Sequence, residues 1–377
     1  MRYKQMKNVI LFILTLLALA GCGKRTPQEL FDDEKSGVVL ILNQYYYTMK
    51  LPNGNTIYFT GIDDDGSLKD LTFDYDEIKN KRSTLSGTGF FIDEQGTIMT
   101  NRHVAQPSID KTAVKESYNS LVASIKAYFA AQMQQLSEQY SALEEQKSDC
   151  YSYDYDGYAY VDNEQMQQIT EQQNELEEQF NSLREVRNSM DDNVSLDELK
   201  ISVVCEVGIA YNNTFVTSVS DFLDKNPCVV TKVSGKEDTD LALIQLKNKT
   251  TPSTAYVFNT DGEVSETPIE KLSGMFSSHN DDILQIDQQL YMIGYNAGPV
   301  LASTKQGIQV QMTSGKVTQL PDGDRLLYSI PTVQGSSGSP VIDSKGRLVA
   351  VNFAKLAASD NFNFGIPLNK IKAFVKP

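Results

Sequence analysis

Histidine, positive charge and long apolar runs are all scarce in this sequence of 377 residues. Its only histidines are His103 and His279, so there are two candidates for a general base that works near neutral pH. Lysine and arginine total 34 against 49 acidic residues, and the net charge is −15. This charge argues against nucleic acid as a partner, because phosphate binding needs a basic surface.

Only the N-terminus is apolar enough to interact with a bilayer. Val9–Ala20 carries no charge, follows three basic residues and is shorter than a membrane-spanning helix. That layout predicts a secretory signal peptide over residues 1–21. The rest of the chain is therefore expected outside the cytoplasm.

The signal peptide ends in LAGC, Leu19 to Cys22, which resembles the bacterial lipobox. The resemblance implies cleavage before Cys22 and acylation of that cysteine. Two or more acyl chains give stable anchoring. A plain signal peptide that happens to contain Cys22 is the alternative. The expected location is the bacterial cell envelope, lipid-anchored, in the periplasm or at the cell surface, with residues 22–36 as a polar tether.

Cysteine is also scarce, and after Cys22 only Cys150, Cys205 and Cys228 remain. Their spacing gives no zinc pattern, and we expect neither a metal nor a cofactor. Cys205 and Cys228 lie in two strand-like segments. If those strands pair, either a disulfide or two buried thiols is consistent with the sequence.

Proline is absent from residues 109–200, where glutamine, glutamate and alanine dominate. Apolar residues recur there at steps of three and four in two series, on either side of a tyrosine-rich loop at Tyr151–Tyr160. This pattern predicts an antiparallel coiled-coil hairpin about 50 Å long. Residues 110–200 contain 19 acidic and 7 basic residues, a net charge of −12. A self-contained hairpin, an oligomerisation seam and a docking arm for a protein partner all remain open.

The rest of the chain reads as short strands separated by turns. Val38–Thr60 alternates apolar and polar residues around PNGN, which predicts a hairpin. From Gln289 onward, short apolar runs separated by PDGD, SKGR and similar turns predict a small barrel.

Ser337 lies in a glycine-rich turn, within TVQGSSGSPVID at Thr332–Asp343. Glycine accepts dihedrals that other residues resist, so the turn can expose the serine hydroxyl. It can also aim the N–H groups of Gly335 and Ser337 at one point, as an oxyanion hole requires. A Gly/Ser-rich surface turn is the alternative.

Two further residues supply the chemistry that a serine nucleophile needs. His103 directly follows a predicted strand, Thr97–Thr100, whereas His279 lies in a polar run. Asp240 precedes the apolar run ALIQL. Each residue alone would be ordinary. In the order His103, Asp240, Ser337 they provide a base, a carboxylate that orients it and a nucleophile, which together suit acyl transfer.

These stretches resemble the trypsin-like serine proteases of the HtrA (Deg) type. Further matches are TSGKV, GRLVAVN and FGIPLN, at Thr313–Val317, Gly346–Asn352 and Phe364–Asn369. The resemblance covers roughly residues 86–104 and 228–377. It implies an all-β chymotrypsin-type fold of two six-stranded barrels with the triad in the cleft. It also implies endopeptidase activity on polypeptides through an acyl-enzyme.

The chain departs from that family in four ways. Ser336 stands where the family has Asn and digestive enzymes have Asp, which fits an enzyme that is not switched on by a freed N-terminus. Ser339 replaces a glycine beside the oxyanion hole. No PDZ module is expected, and the helical segment interrupts the first barrel.

We divide the chain into consecutive segments on this basis. They are the signal peptide (1–21), the tether (22–36), the first barrel (37–108 and 201–249), the helical insertion (109–200), which we expect to project beside the cleft, the inter-barrel linker (250–288), and the second barrel with a C-terminal helix (289–377).

The resemblance also locates a substrate pocket and leaves a rival function open. The matching pocket positions are Pro331, Asn352, Phe353, Ala354 and Phe364. None is charged, so a small or medium apolar residue is expected before the scissile bond. The rival is a lipid-anchored binding or scaffold protein with an inactive or regulatory protease fold that recognises partners through the coiled-coil arm.

Overall fold

The computed structural model describes residues 25–236, 239–262, 284–355 and 363–376. The predicted signal peptide, Cys22, His279 and residues 263–283 of the predicted linker lie outside the described residues. The chain divides into two compact units. One comprises the chain up to Tyr45, Arg82–Ser108 and the chain from Val203 on, and the other comprises Tyr46–Lys81 and Ile109–Ser202.

Apart from two long helices, most of the regular structure is β-strand. The strands are β1 Val38–Lys50, β2 Thr56–Phe59, β3 Gly61–Ile62, β4 Leu68–Lys69, β5 Ser83–Phe91, β6 Thr97–Thr100, β7 Tyr151–Tyr153, β8 Ala159–Val161, β9 Lys200–Tyr211, β10 Pro227–Val233, β11 Ala242–Leu246, β12 Gln289–Gly294, β13 Ser303–Thr304, β14 Gly307–Ile308, β15 Gln311–Gln319, β16 Leu326–Tyr328, β17 Pro340–Asp343, β18 Leu348–Lys355 and β19 Asn363–Pro367.

Two of the helices are long and the others are short. The α-helices are α1 Pro27–Glu34, α2 Tyr75–Lys81, α3 Arg102–Ala105, α4 Lys111–Gln146, α5 Asn163–Ser189, α6 Ser220–Leu223, α7 Pro299–Ala302 and α8 Leu368–Val375, with 3-10 helices at Lys35–Gly37 and Lys147–Cys150. Among the described residues no helix is long and apolar enough to cross a membrane.

The strands form two closed six-stranded antiparallel barrels, as the sequence predicts. The first follows the order β1-β5-β6-β11-β10-β9 and is closed by pairing of β9 with β1. The second follows the order β12-β15-β16-β19-β18-β17. This is the trypsin-like fold.

The apolar run at the start of β1 shows why the two barrels hold together. Val39 and Ile41 point into the core of the first barrel. Val38 and Leu40, on the opposite face, share a core with second-barrel residues such as Ile342. Because successive strand side chains point to opposite faces, both faces of β1 are buried and the run is continuously apolar.

Two predicted boundaries are corrected. Residues 22–36 are not all tether, because α1 forms over Pro27–Glu34 with a capping box between Thr26 and Glu29, and Leu30 is fully buried. Tyr46–Lys81, assigned to the first barrel, lies in the second unit instead. The reason is that β1 continues beyond the barrel, and β2 pairs only with its far half, Tyr47–Lys50.

The second unit contains the predicted helical hairpin, which is thereby confirmed. Helices α4 and α5 are antiparallel: Gln173 bonds to Tyr140 and Glu144, whereas Arg187, further along α5, bonds to Lys126, earlier in α4. The 36 residues of α4 span about 54 Å. At the far end β7 and β8 pair, with Tyr151 opposite Val161.

The sequence left either a disulfide or two thiols open for Cys205 and Cys228. In the structure both are free thiols. Cys228 lies opposite Val207, so Cys205, two residues earlier on β9, is only its diagonal neighbour. Burial raises the pKa of Cys228 to about 12 and also raises that of Cys205. Both thiols are therefore held protonated and poorly nucleophilic.

Candidate active site

His103 and Asp240 form a hydrogen-bonded pair. The imidazole Nδ1 lies 2.5 Å from Oδ2 of Asp240, and the main-chain N–H of His103 donates to Oδ1 at 3.0 Å. An ionised carboxylate only accepts, so in the neutral imidazole the proton lies on Nδ1. Nε2 then has the lone pair that a general base needs.

Strand pairing explains why residues 137 positions apart meet. Thr100 at the end of β6 lies opposite Ala242 at the start of β11, so the residues just beyond each strand end are neighbours. The carbonyl of Asp240 accepts from the N–H of Arg102 at 3.2 Å and from the side-chain amide of Asn101 at 2.8 Å. Main chain and side chains together fix the pair.

The turn around Ser337 depends on two glycines. Gly335 and Gly338 have φ values of 97° and 88°, in the region that favours glycine. A Cβ on Gly338 would collide with the carbonyl oxygen of Thr88, and one on Gly335 would lie 2.7 Å from the carbonyl oxygen of Tyr295. No larger residue fits at either position, so the glycines let the loop press against its neighbours while Ser337 stays half-exposed.

Two N–H groups of this turn are uncommitted. Those of Gly335 and Ser337 donate to no other protein group in the parts of the chain that the structure describes. The N–H groups between and after them are occupied: Ser336 donates to the carbonyl of Val333 at 3.0 Å, and Gly338 donates to that of Asn352 at 2.8 Å. The free pair is the pair that the sequence assigns to the oxyanion hole.

Gly87 of β5 lies between the helix that carries His103 and the Ser337 turn. A Cβ at Gly87 would lie 2.6 Å from a methyl of Val104 and 3.3 Å from the carbonyl oxygen of Ser337. The neighbour of His103 and the main chain of Ser337 thus contact the same glycine. The absence of a side chain there lets β5 approach both.

Ser339 stands where the HtrA-type family usually has glycine. Gly294 leaves room for the extra side chain because it has none of its own. Ser339 is fully buried, and its hydroxyl occupies the space where a Cβ on Gly294 would lie. The turn keeps its two glycine conformations at Gly335 and Gly338 despite the replacement.

Comparisons with known proteins point to the same fold. Residues 202–351, which include Asp240 and Ser337, match the family model of the trypsin-like peptidase domain. The structure is that of a trypsin-like peptidase fold. The match begins after the helical insertion, so the strand that leads to His103 lies outside it.

Solved protease structures are similar to the chain at low identity. The active form of the Rv3671c protease from M. tuberculosis is 12% identical, with a TM-score of 0.40, over 92% of this chain and 82% of that one. The serine endoprotease from Yersinia pestis is 11% identical, with a TM-score of 0.39, over 93% of this chain and 65% of that one. No curated protein matches.

In this trypsin-like fold the expected pocket residues lie in different surroundings. Pro331 is exposed, Phe353 and Phe364 are half-buried with ring centroids 6.2 Å apart, and the side chain of Ala354 lies outside the described residues. The guanidinium of Arg325 lies 6.0 Å and 5.3 Å from the Phe353 and Phe364 centroids. No local sequence pattern places this charge at the pocket, because Arg325 precedes β16 and reaches Phe364 only through the pairing of β16 with β19.

The side chain of Asn352, one of the expected pocket positions, points into the protein. Asn352 is only 2% exposed, and its Nδ2 donates to the carbonyl of Ser336 at 3.0 Å. Its Oδ1 accepts from the hydroxyl of Tyr328 at 2.7 Å. Burial raises the pKa of Tyr328 well above its usual value, which keeps that hydroxyl a donor. The carboxamide therefore lies under the Ser337 turn.

Proposed function

We propose that the protein is a serine endopeptidase of the HtrA type that cleaves polypeptides through an acyl-enzyme. The proposal rests on the position of the His103–Asp240 pair relative to the Ser337 turn. A hydrogen-bonded His103–Asp240 pair and a glycine-cradled serine with two unoccupied N–H donors are linked through Gly87, which contacts both Val104, the neighbour of His103, and the carbonyl of Ser337. A surface turn between strands has no reason to combine these features.

In the proposed mechanism, Nε2 of His103 takes the proton of the Ser337 hydroxyl as the oxygen attacks a peptide carbonyl. Asp240 holds the imidazole in the required tautomer and stabilises its charged form. The N–H groups of Gly335 and Ser337 bind the oxyanion. The imidazolium then protonates the leaving amine, and water releases the acyl group by the reverse sequence.

We also propose that the residue before the scissile bond is apolar, since the rings of Phe353 and Phe364 lie side by side at the predicted pocket, tilted by 40°. Arg325 lies over these rings and would favour a substrate with an acidic side chain nearby. We therefore expect cleavage of unfolded polypeptide segments that offer both kinds of side chain.

Active-site labelling tests the assignment. The protein should react with a fluorophosphonate probe and hydrolyse unfolded casein, and Ser337→Ala and His103→Ala should each abolish both activities. His279→Ala is the matched control, because it removes the only other histidine, and should behave as wild type. A folded wild-type protein that takes up no label, or a fully active Ser337→Ala variant, would refute the proposal.

The second candidate function is a lipid-anchored binding or scaffold protein that recognises a partner through the helical arm. One observation favours it: the arm tip exposes five tyrosines, with exposed fractions of 45% for Tyr151, 71% for Tyr153, 106% for Tyr155, 69% for Tyr158 and 59% for Tyr160. Exposed tyrosines make adaptable contacts. This candidate predicts no probe labelling in a well-folded protein.

A further inference from the structure

The Ser337 turn lacks the acidic residue that digestive trypsin-like enzymes place before the nucleophile, so another device must hold it. Ser336 occupies that position, is 2% exposed and donates its hydroxyl to the carbonyl of Val333 at 2.7 Å. That hydrogen bond joins two residues of the same turn. It does not tie the turn to the rest of the molecule.

Thr88 of β5, in the first barrel, ties the turn from one side. Its hydroxyl donates to the carbonyl of Gly335 at 2.9 Å and accepts from the N–H of Tyr295 at 3.0 Å. Its own N–H donates to the carbonyl of Ser337 at 2.8 Å. Thr88 is fully buried, so these bonds do not compete with bulk water.

Asn352 of β18, in the second barrel, ties the turn from the other side. Its amide donates to the carbonyl of Ser336, and its main-chain carbonyl accepts from the N–H of Gly338. In a trans peptide the C=O and the following N–H point in opposite directions. Holding the Ser336 carbonyl therefore aims the N–H of Ser337 away from Asn352.

We propose that Thr88 and Asn352 are positioning residues that hold the oxyanion donors of the Ser337 turn. Together they hold three successive peptide groups, from Gly335 to Gly338, without an ion pair. The middle group carries the N–H of Ser337, and the first adjoins Gly335, whose own N–H belongs to the preceding peptide group. The inference rests on the proposed function, since it assigns roles in that same reaction. It adds that a threonine hydroxyl from the opposite barrel keeps the donors aligned in the resting enzyme.

The proposal predicts a specific kinetic signature. Donors already in place contribute to transition-state stabilisation, and loss of one oxyanion donor costs about 10²–10³ in kcat. Thr88→Val removes the hydroxyl but keeps the shape, so the turn loses one anchor. We expect kcat to fall about tenfold or more with KM within about twofold of wild type. Thr88→Ser, which keeps the hydroxyl, should restore most of the rate.

Thr251, which follows β11 and contacts the turn between β5 and β6, offers a matched control. Its hydroxyl also bridges the main chain, donating to the carbonyl of Asp93 at 2.6 Å and accepting from the N–H of Gly96 at 3.0 Å. Thr251→Val thus loses the same kind of bonds away from the turn. It should lower the melting temperature as Thr88→Val does, but leave kcat unchanged well below that temperature.

The outcomes separate this inference from the proposed function. If wild type neither labels nor hydrolyses, both fail. If wild type is active but Thr88→Val loses no more kcat than Thr251→Val, or Thr88→Ser brings no rescue, only the inference fails. Should Thr88→Val not fold, Thr88→Cys replaces it, because a thiol is a weak donor of similar size. A folded Thr88→Cys variant with the wild-type rate would likewise overturn the inference.

Discussion

Glu34 shows how a single buried carboxyl can set the pH dependence of stability. It is fully buried at the end of α1, and neither carboxyl oxygen has a hydrogen-bond partner among the described residues. Burial, opposed by Arg25 and reinforced by Asp33 and Asp343, raises its pKa to about 8. At neutral pH the folded protein therefore keeps this proton, whereas the unfolded chain, with a pKa of 4.5, releases it.

The sign of the pH effect follows from that difference. Between about pH 4.5 and 8 the folded state binds more protons at Glu34 than the unfolded state, so its contribution to stability falls as pH rises. The slope approaches about 1.4 kcal/mol per pH unit. Relative to wild type, Glu34→Gln should gain unfolding free energy steadily from pH 5 to pH 8. Urea unfolding at several pH values would measure the difference.

Glu29, on the same helix, is the matched control. Its bonds to Thr26 lower its pKa, so its contribution to stability is present above about pH 4.5 and is lost only as the solution becomes more acidic. The difference between Glu29→Gln and wild type should be flat from pH 5 to pH 8. A flat difference for Glu34→Gln as well would show that its carboxyl is ionised in the folded protein.

Residue types and spacing indicate the candidate catalytic residues of the site more directly than they indicate its supports. His103, Asp240 and Ser337 are recognisable because each follows or precedes a strand in the expected order. The roles of Thr88 and Asn352 depend on which barrel faces which loop, and that depends on pairings between distant strands. The local pattern around Glu34 is polar and predicts a tether. Its burial comes from packing against distant parts of the chain, which a local pattern cannot show.

The helical arm is the element whose existence was easiest to predict and whose role is hardest to derive. Apolar steps of three and four define both helices locally, so no distant contact is needed to recognise them. The exposure of the tip tyrosines follows from the β7–β8 hairpin, whose six strand residues are all exposed.

We predict that the arm serves recognition of large substrates or partners and takes no part in the chemistry. Deleting Lys111–Asp197 with a short Gly/Ser bridge should leave hydrolysis of a small chromogenic peptide unchanged, because His103, Asp240 and Ser337 lie outside the segment. Turnover of an unfolded protein substrate should fall severalfold. Both rates can be compared with wild type under identical conditions.

Point variants locate the effect on the arm. Changing Tyr153, Tyr155 and Tyr158 together to serine should reproduce the loss on the protein substrate. Tyr128→Ser removes a tyrosine that is 62% exposed on α4, away from the tip, and should have no effect. If the deletion changes neither protein turnover nor the mass in solution, the arm is only a self-contained hairpin.

At the scale of the whole molecule, the net charge and the predicted lipid anchor would have opposite effects on membrane binding. Loss of residues 1–21 removes three basic residues and leaves a mature chain of net charge −18. An anionic lipid surface repels such a chain. We therefore infer that membrane attachment depends on acyl chains at Cys22 and gains nothing from the protein surface.

This inference predicts that substitution of Cys22 alone abolishes membrane attachment. Cys22→Ser should incorporate no labelled palmitate and should leave the membrane fraction entirely, because the net negative charge of the chain would not replace the lost acyl chains. Cys150→Ser, at the base of the tyrosine hairpin, should label and sediment as wild type. Persistent membrane attachment of Cys22→Ser would mean that another part of the chain, or a bound partner, holds the protein there despite its charge.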